Sequence, residues 1–153
     1  LKNLVFRALF DNEEIPIDLL KLADPEEQMI RKYIDHSRIF LAELEGFVVG
    51  SIVLVDHSSD LIEIKNLAVD IEFQKQKIGT FLLENAINFA KDSGYHEIQI
   101  GTGNSSIQQF YLYQKKGFEF SHIKKDWFTN NYQKPIFENG IQCKHLVVFT
   151  KDL

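Results

Sequence analysis

The chain has 153 residues, 44% hydrophobic and 25% charged, with a formal net charge of −5. That length builds one ordinary domain with a real core, and thirteen phenylalanines argue against disorder. Interspersed charges leave no basic footprint for nucleic acid, and the longest apolar run, Phe47 to Val55, is too short to span a bilayer and is broken by Gly50 and Ser51. The single Cys143 excludes an intrachain disulfide framework and suits a reducing compartment. Leu1 to Phe10 lacks the apolar stretch of a signal peptide. The expectation is one domain over residues 1–153, cytoplasmic, a monomer or homodimer, with no membrane or nucleic-acid partner.

Leu4 to Leu9 reads as a first strand. Ile15, Leu19, Leu20 and Leu22 recur at helical spacing behind Pro16, predicting a helix over Ile15 to Ala23. Asp24-Pro25-Glu26-Glu27 has the form of a second helix start, with Asp as N-cap and Pro at the first helical position. Met29, Ile30, Tyr33 and Ile34 give that helix its apolar stripe. Arg38 to Leu44 and Phe47 to Val55 form a predicted hairpin turning at Glu45-Gly46. Asp56 to Asp60 is a turn leading to the strand Leu61 to Val69. A long helix follows from Ile78, its apolar face marked by Phe81, Leu82, Ala86, Phe89 and Ala90 and its end by Ser93-Gly94. His96 to Ile100 returns as a strand, Ser105 to Lys116 as a shorter helix stopped by Gly117. Phe118 to Ile123 and Leu146 to Thr150 complete about seven strands of a mixed α/β fold with one sheet.

Leu61 to Leu83 organises the chain. A strand, a short polar loop and a helix start present backbone N–H groups that lack internal partners, with the helix dipole adding positive charge. Lys75 and Lys77 put two full charges on the same loop. The expectation is a phosphate-bearing ligand at this point.

Gln74-Lys75-Gln76-Lys77-Ile78-Gly79-Thr80 resembles the acyl-CoA pyrophosphate loop of the GCN5-related N-acetyltransferase (GNAT) superfamily. Leu67-Ala68-Val69 is similar to the strand that precedes it there. Gln74 and Gly79 fit, whereas Lys77 and Lys75 stand where the family commonly has glycine. Downstream, Asn104 to Phe118 is similar to the family's N-x-x-A-x-x-x-Y-x-x-x-G-F segment: Tyr113-Gln-Lys-Lys-Gly117-Phe118 matches closely, and the start is slightly longer. The resemblance implies a mostly antiparallel sheet with a splayed central strand pair, and a small single-domain bacterial type of N-acetyltransferase. It implies acetyl-CoA contacts at Leu67, Ala68, Val69, Gln74, Lys75, Gln76, Lys77, Ile78, Gly79, Thr80 and Asn104. If the lysines obstruct the backbone cradle, CoA binding is weak; if their charge compensates, binding depends strongly on salt.

Acetyl transfer to nitrogen needs a neutral amine, and a carboxylate can take its proton. The resemblance places Glu63 as that base; the residues alone equally allow a solvated carboxylate paired with Lys65. Tyr113 is implied as the acid that protonates the departing thiolate, the other reading being a buried, hydrogen-bonded tyrosine behind a Ser-capped helix. N–H groups of Leu67 to Val69 are implied to polarise the thioester carbonyl, with direct transfer in a ternary complex. The expected acceptor is a primary amine of a small molecule or peptide. Acetylation of protein N-termini or lysines, and a non-catalytic CoA-binding module, remain as alternatives.

Asp56-His57-Ser58 and Asp60 hold triad residue types, but neighbours in one turn do not converge. Cys143 and His145 are poor grounds for zinc, and a nucleophilic Cys143 needs a pKa-lowering environment. Asp126 to Lys144, rich in aromatics, is the predicted seat of substrate choice, either as walls with Asp126 or Glu138 for a cation or as core packing.

Overall fold

A computed structural model describes residues 3–153. Its main sheet has seven strands: β1 (Leu4–Ala8), β2 (Arg38–Leu44), β3 (Phe47–Asp56), β4 (Leu61–Val69), β5 (Glu97–Gly103), β6 (Glu119–Lys124) and β9 (Leu146–Asp152). The spatial order is β1-β2-β3-β4-β5-β9-β6, and every pair is antiparallel except β4 with β5. A separate hairpin, β7 (Ile136–Glu138) and β8 (Ile141–Cys143), stands outside the sheet. The turn of the β2–β3 hairpin is Glu45-Gly46, both at positive φ, the pattern of the primed turns that match strand twist.

The helices are α1 (Ile17–Leu20), α2 (Glu27–Arg31), α3 (Ile78–Asp92), α4 (Ile107–Lys115) and α5 (Trp127–Asn131). On one sheet face α3 lays down Ile78, Leu82, Leu83, Ala86 and Ala90, all within a few per cent of complete burial, and Tyr113 of α4 joins the same core. Fully burying each of the larger side chains stabilises the fold by roughly 1.5–3 kcal/mol. On the other face Leu20, Ile30, Tyr33 and Ile34 pack against Ile39, Leu41, Val53 and Val55.

Two local expectations are corrected at the N-terminal end. The helix predicted over Ile15 to Ala23 is one turn, with Pro16 as its non-helical flank. Asp24 does not cap α2; Glu26 occupies that position, without a side-chain cap. The reason is tertiary: the Asp24 carboxylate accepts hydroxyl hydrogens from Tyr33 and from Tyr132, far along the chain. The expected long connection over 126–144 is likewise structured, as α5 and the β7–β8 hairpin.

Candidate active site

The site begins where the sheet divides. β4 and β5 pair from Leu61↔Glu97 to Ile64↔Ile100 and no further. On the other side of β4, Leu54 faces Ile64 while Val53 faces Asn66, so Lys65 is an extra residue, a β-bulge. The bulge bends β4, and from there β4 stays with β3 while β5 stays with β9. Among the described residues, one edge of Leu67, Ala68 and Val69 is therefore free of any strand partner.

Two cavities meet at this split. The larger, about 840 Å³, is lined by Leu67, Ala68, Val69, Gln74, Lys75, Lys77, Ile78, Gly79, Thr80 and Tyr113. The smaller, about 420 Å³, holds Glu63, Asp24, Tyr33, His57, Tyr132 and the rings of Trp127 and Phe128. Lys65, Thr102, Ser106 and Glu138 border both.

The larger cavity includes the N-terminal turn of α3. Phe81 N–H to Lys77 C=O, at 3.0 Å, is the first bond inside α3, so the N–H groups of Ile78, Gly79 and Thr80 come before the internal ladder starts. Lys77 flanks the helix in the left-handed conformation, φ 67°, and offers no side-chain cap; Lys75 is also left-handed, φ 63°. Those are glycine's backbone angles carried by lysines, and they turn the chain so that N–H groups and ammonium stems share one rim. A Cβ on Gly79 would meet only Val69 Cγ2, at 3.8 Å. The bare surface there is open to a ligand rather than required by packing. Gln74 Nε2 donates to Val69 O (3.1 Å), tying the loop to the end of β4. These residues fit a pyrophosphate, and the free β4 edge fits an amide-bearing arm running beside it.

Tyr113 is buried between Phe118 and Phe149, and among the described residues its hydroxyl has no hydrogen-bond partner. Burial raises its pKa, with the Glu138 charge adding to it, so the phenol stays protonated at neutral pH. Glu63 is buried, and His57 Nε2 lies 2.5 Å from its Oε1; the half-exposed His57 holds the carboxylate in place. The pairing with Lys65 that the residues alone allowed is not formed: the Lys65 ammonium lies over the Tyr33 ring, 5.4 Å from its centre.

Two expected cofactor contacts are not brought to the cleft. Asn104 Nδ2 donates to Gln142 O, and its Oδ1 accepts from Lys144 N and His145 N, which ties the end of β5 to the approach to β9. Gln76 borders neither cavity. Ser106 precedes α4 without capping it, because its hydroxyl donates to Glu138 Oε1 (2.9 Å). Of the aromatic connection, Trp127, Phe128, Tyr132 and Ile136 do wall the smaller cavity, and Glu138 reaches it whereas Asp126 does not. Among the described residues there is no group of three or more His, Cys, Asp or Glu placed to hold a metal. Burial raises the pKa of the Cys143 thiol, the opposite of activation. Asp56 and Asp60 turn to Tyr95 and His96, away from His57.

Sequence reasoning did not find Asp24 or Tyr33, set His57 aside as a turn residue, and reached Tyr132 only as one aromatic of the 126–144 connection. Asp24 looked like a helix cap and Tyr33 like part of a helix stripe. Only the split sheet brings them together.

Residues 7–118 match the family model described as the acetyltransferase (GNAT) family. The chain is 42% identical over 142 residues to YvbK of Bacillus subtilis (strain 168), described as an uncharacterized N-acetyltransferase, covering 93% of this chain and 91% of that one. A GNAT family acetyltransferase from Elizabethkingia anophelis, solved with acetyl-CoA bound, superposes with a TM-score of 0.97 at 41% identity over 100% of both chains. A Bacillus subtilis acetyltransferase in complex with CoA gives 0.90 at 38% identity over 98% of this chain and 99% of that one.

Proposed function

Since this chain belongs to the acetyltransferase (GNAT) family and is an acetyl-CoA-dependent acyltransferase, we propose that it moves the acetyl group directly to a primary amine of a small molecule or peptide within a ternary complex. Residues 1–153 then work as one acyl-CoA N-acyltransferase domain. The observation that carries this is the meeting of two cavities at the β4–β5 split, with Tyr113 on one side and Glu63 on the other.

Acetyl-CoA supplies an activated thioester carbonyl and a thiolate leaving group. The N-terminus of α3, with Gly79, Thr80, Lys75 and Lys77, holds the pyrophosphate by N–H groups and charge. The free edge of Leu67 to Val69 aligns the amide-bearing arm as an added strand would, and its N–H groups stabilise negative charge growing on the carbonyl oxygen. Glu63 takes the proton from the incoming ammonium, directly or through water, and His57 keeps that carboxylate aimed. Tyr113 donates its phenolic proton to the sulfur as it leaves.

The volume of the smaller cavity, about 420 Å³, favours a small acceptor over a protein terminus. Glu26 accepts from the backbone N–H of Gln133 and Lys134, and Tyr132 donates to Asp24, so the two segments are tied together at its wall. Initial rates measured over a grid of acetyl-CoA and amine concentrations test the reading. Intersecting double-reciprocal lines are expected; parallel lines would indicate an acyl-enzyme and remove direct transfer.

A further inference from the structure

The smaller cavity contains a carboxylate that the transfer chemistry does not use. Asp24 is 8% exposed and borders the cavity. Its Oδ2 accepts from Tyr33 at 3.1 Å and its Oδ1 from Tyr132 at 2.6 Å. Neither donor carries charge, and among the described residues Asp24 forms no ion pair. Lys65, drawn over the Tyr33 ring, acts on it only at longer range, and Glu26 adds a like charge. Glu63 by contrast has His57, and Glu138 has Ser106 beside the transfer point.

A buried carboxylate with no counter-charge is costly unless a cation joins it. Burial accordingly pushes the Asp24 pKa up, against the pull of the two tyrosine hydrogen bonds. Each oxygen of an ionised carboxylate has acceptor capacity beyond one hydroxyl. The walls nearby include the aromatic side chains of Tyr33, Trp127, Phe128 and Tyr132, and aromatic rings are surroundings that favour a bound ammonium. Position separates this group from the base. Tyr33 also accepts from Asn66 Nδ2 at 3.1 Å, which hangs Asp24 from β4 at Asn66. Glu63 lies three residues earlier, roughly 7–10 Å along a bulged strand.

We propose, resting on the amine-transfer reading above, that the acceptor is a small dicationic amine, one nitrogen presented to Glu63 for acetylation and the other held as ammonium by Asp24 and its two tyrosines. The reaction balances as a simple transfer. The N–C bond forms and the C–S bond breaks; the reacting ammonium gives one proton to Glu63 before attack and a second as the tetrahedral adduct collapses, Tyr113 protonates the thiolate and regains that second proton, and the proton on Glu63 goes to solvent. The Asp24-bound ammonium keeps its protons throughout.

The test compares putrescine and cadaverine with butylamine and pentylamine on the intact protein with acetyl-CoA. A charge-assisted hydrogen bond at a buried carboxylate corresponds to a preference of roughly 10- to 100-fold in kcat/KM for the diamines. Asp24→Asn, checked for unchanged thermal unfolding and CoA binding, is expected to remove that preference by raising KM for diamines roughly 10-fold or more beyond any change in KM for the monoamines. Equal kcat/KM for the two series on the wild-type protein, a comparison that needs no variant, overturns the dication while amine transfer stands. A diamine preference that survives in Asp24→Asn overturns the role of Asp24. Acetyl-CoA binding without acetylation of any amine overturns the transfer reading and this inference together.

Discussion

Lys77→Gly tests how the phosphate loop works, because it changes strain and charge in opposite directions. At φ 67° the Lys77 Cβ is in the region where L-residues are crowded by a neighbouring carbonyl, at a cost of about 1–2 kcal/mol. Glycine removes that crowding and gives the unfolded chain extra freedom, which costs about 0.5–1 kcal/mol. The difference makes the variant more stable by about 0.5–1 kcal/mol, or about 1–4 °C in melting temperature for a chain of this size. The same change deletes an ammonium from the rim of the α3 N-terminus. An exposed charge beside a phosphate contributes about 0.5–1 kcal/mol at low salt, so CoA affinity is expected to fall roughly 2- to 5-fold there. At high salt, where the Debye length shrinks to a few ångströms, the difference should nearly vanish. Thermal unfolding and calorimetric titration with CoA at two salt concentrations measure both effects. Lys77→Ala is the control, since it removes the charge and keeps the strained backbone: affinity falls without the gain in stability. A Lys77→Gly protein that melts lower and binds CoA equally at both salts would refute the argument.

Tyr113→Phe keeps the ring between Phe118 and Phe149 and removes only the proton donor. Turnover is expected to drop about 10²-fold or more with CoA affinity nearly unchanged; equal turnover would take Tyr113 out of the mechanism. Glu63→Gln should lower kcat and alter the pH–rate profile, and an unchanged profile would point to water or another group as base. Gly79→Ala is expected to stabilise α3 by up to about 1 kcal/mol through helix propensity while weakening CoA binding; tighter or equal binding would mean that the bare surface at Gly79 is not a ligand contact. Away from the site, the Arg7 guanidinium holds the Glu13 carboxyl at about 2, well below its ordinary 4.5. A depressed carboxyl contributes stability above its unfolded pKa and loses it as pH falls from about 4.5 toward 2. Glu13→Gln should therefore flatten the melting temperature in that window, and a slope identical to wild type would sink the assignment.

Periodicity and punctuation were enough to place most of the elements. Alternation and β-branched runs set β2 to β4, the Glu45-Gly46 pair set their turn, and the apolar face from Ile78 to Ala90 set α3. These are local signals, because side-chain period and turn chemistry act over a few residues. That Gly79, Tyr113 and the Leu67 to Val69 strand would line one cavity was legible for the same reason: each belongs to a contiguous motif. The order β5-β9-β6, the bulge at Lys65 and the resulting split were not, since strand order and register depend on what each edge meets in space. Asn104 shows the limit of a motif read locally. A motif position suggested a ligand contact, and the fold instead gave both ends of its amide to the backbone of residues 142–145. Asp24 is the plainest case. Beside Pro25 it has the local form of a helix cap, and only the approach of Tyr132, 108 positions away, turns it into a buried carboxylate at a cavity wall. Sequence was enough to point to the proposed cofactor half of the site, because that half draws on one strand, loop and helix. Tertiary structure alone brought together the residues of the proposed acceptor half, because they come from segments that touch only after the sheet has closed and divided.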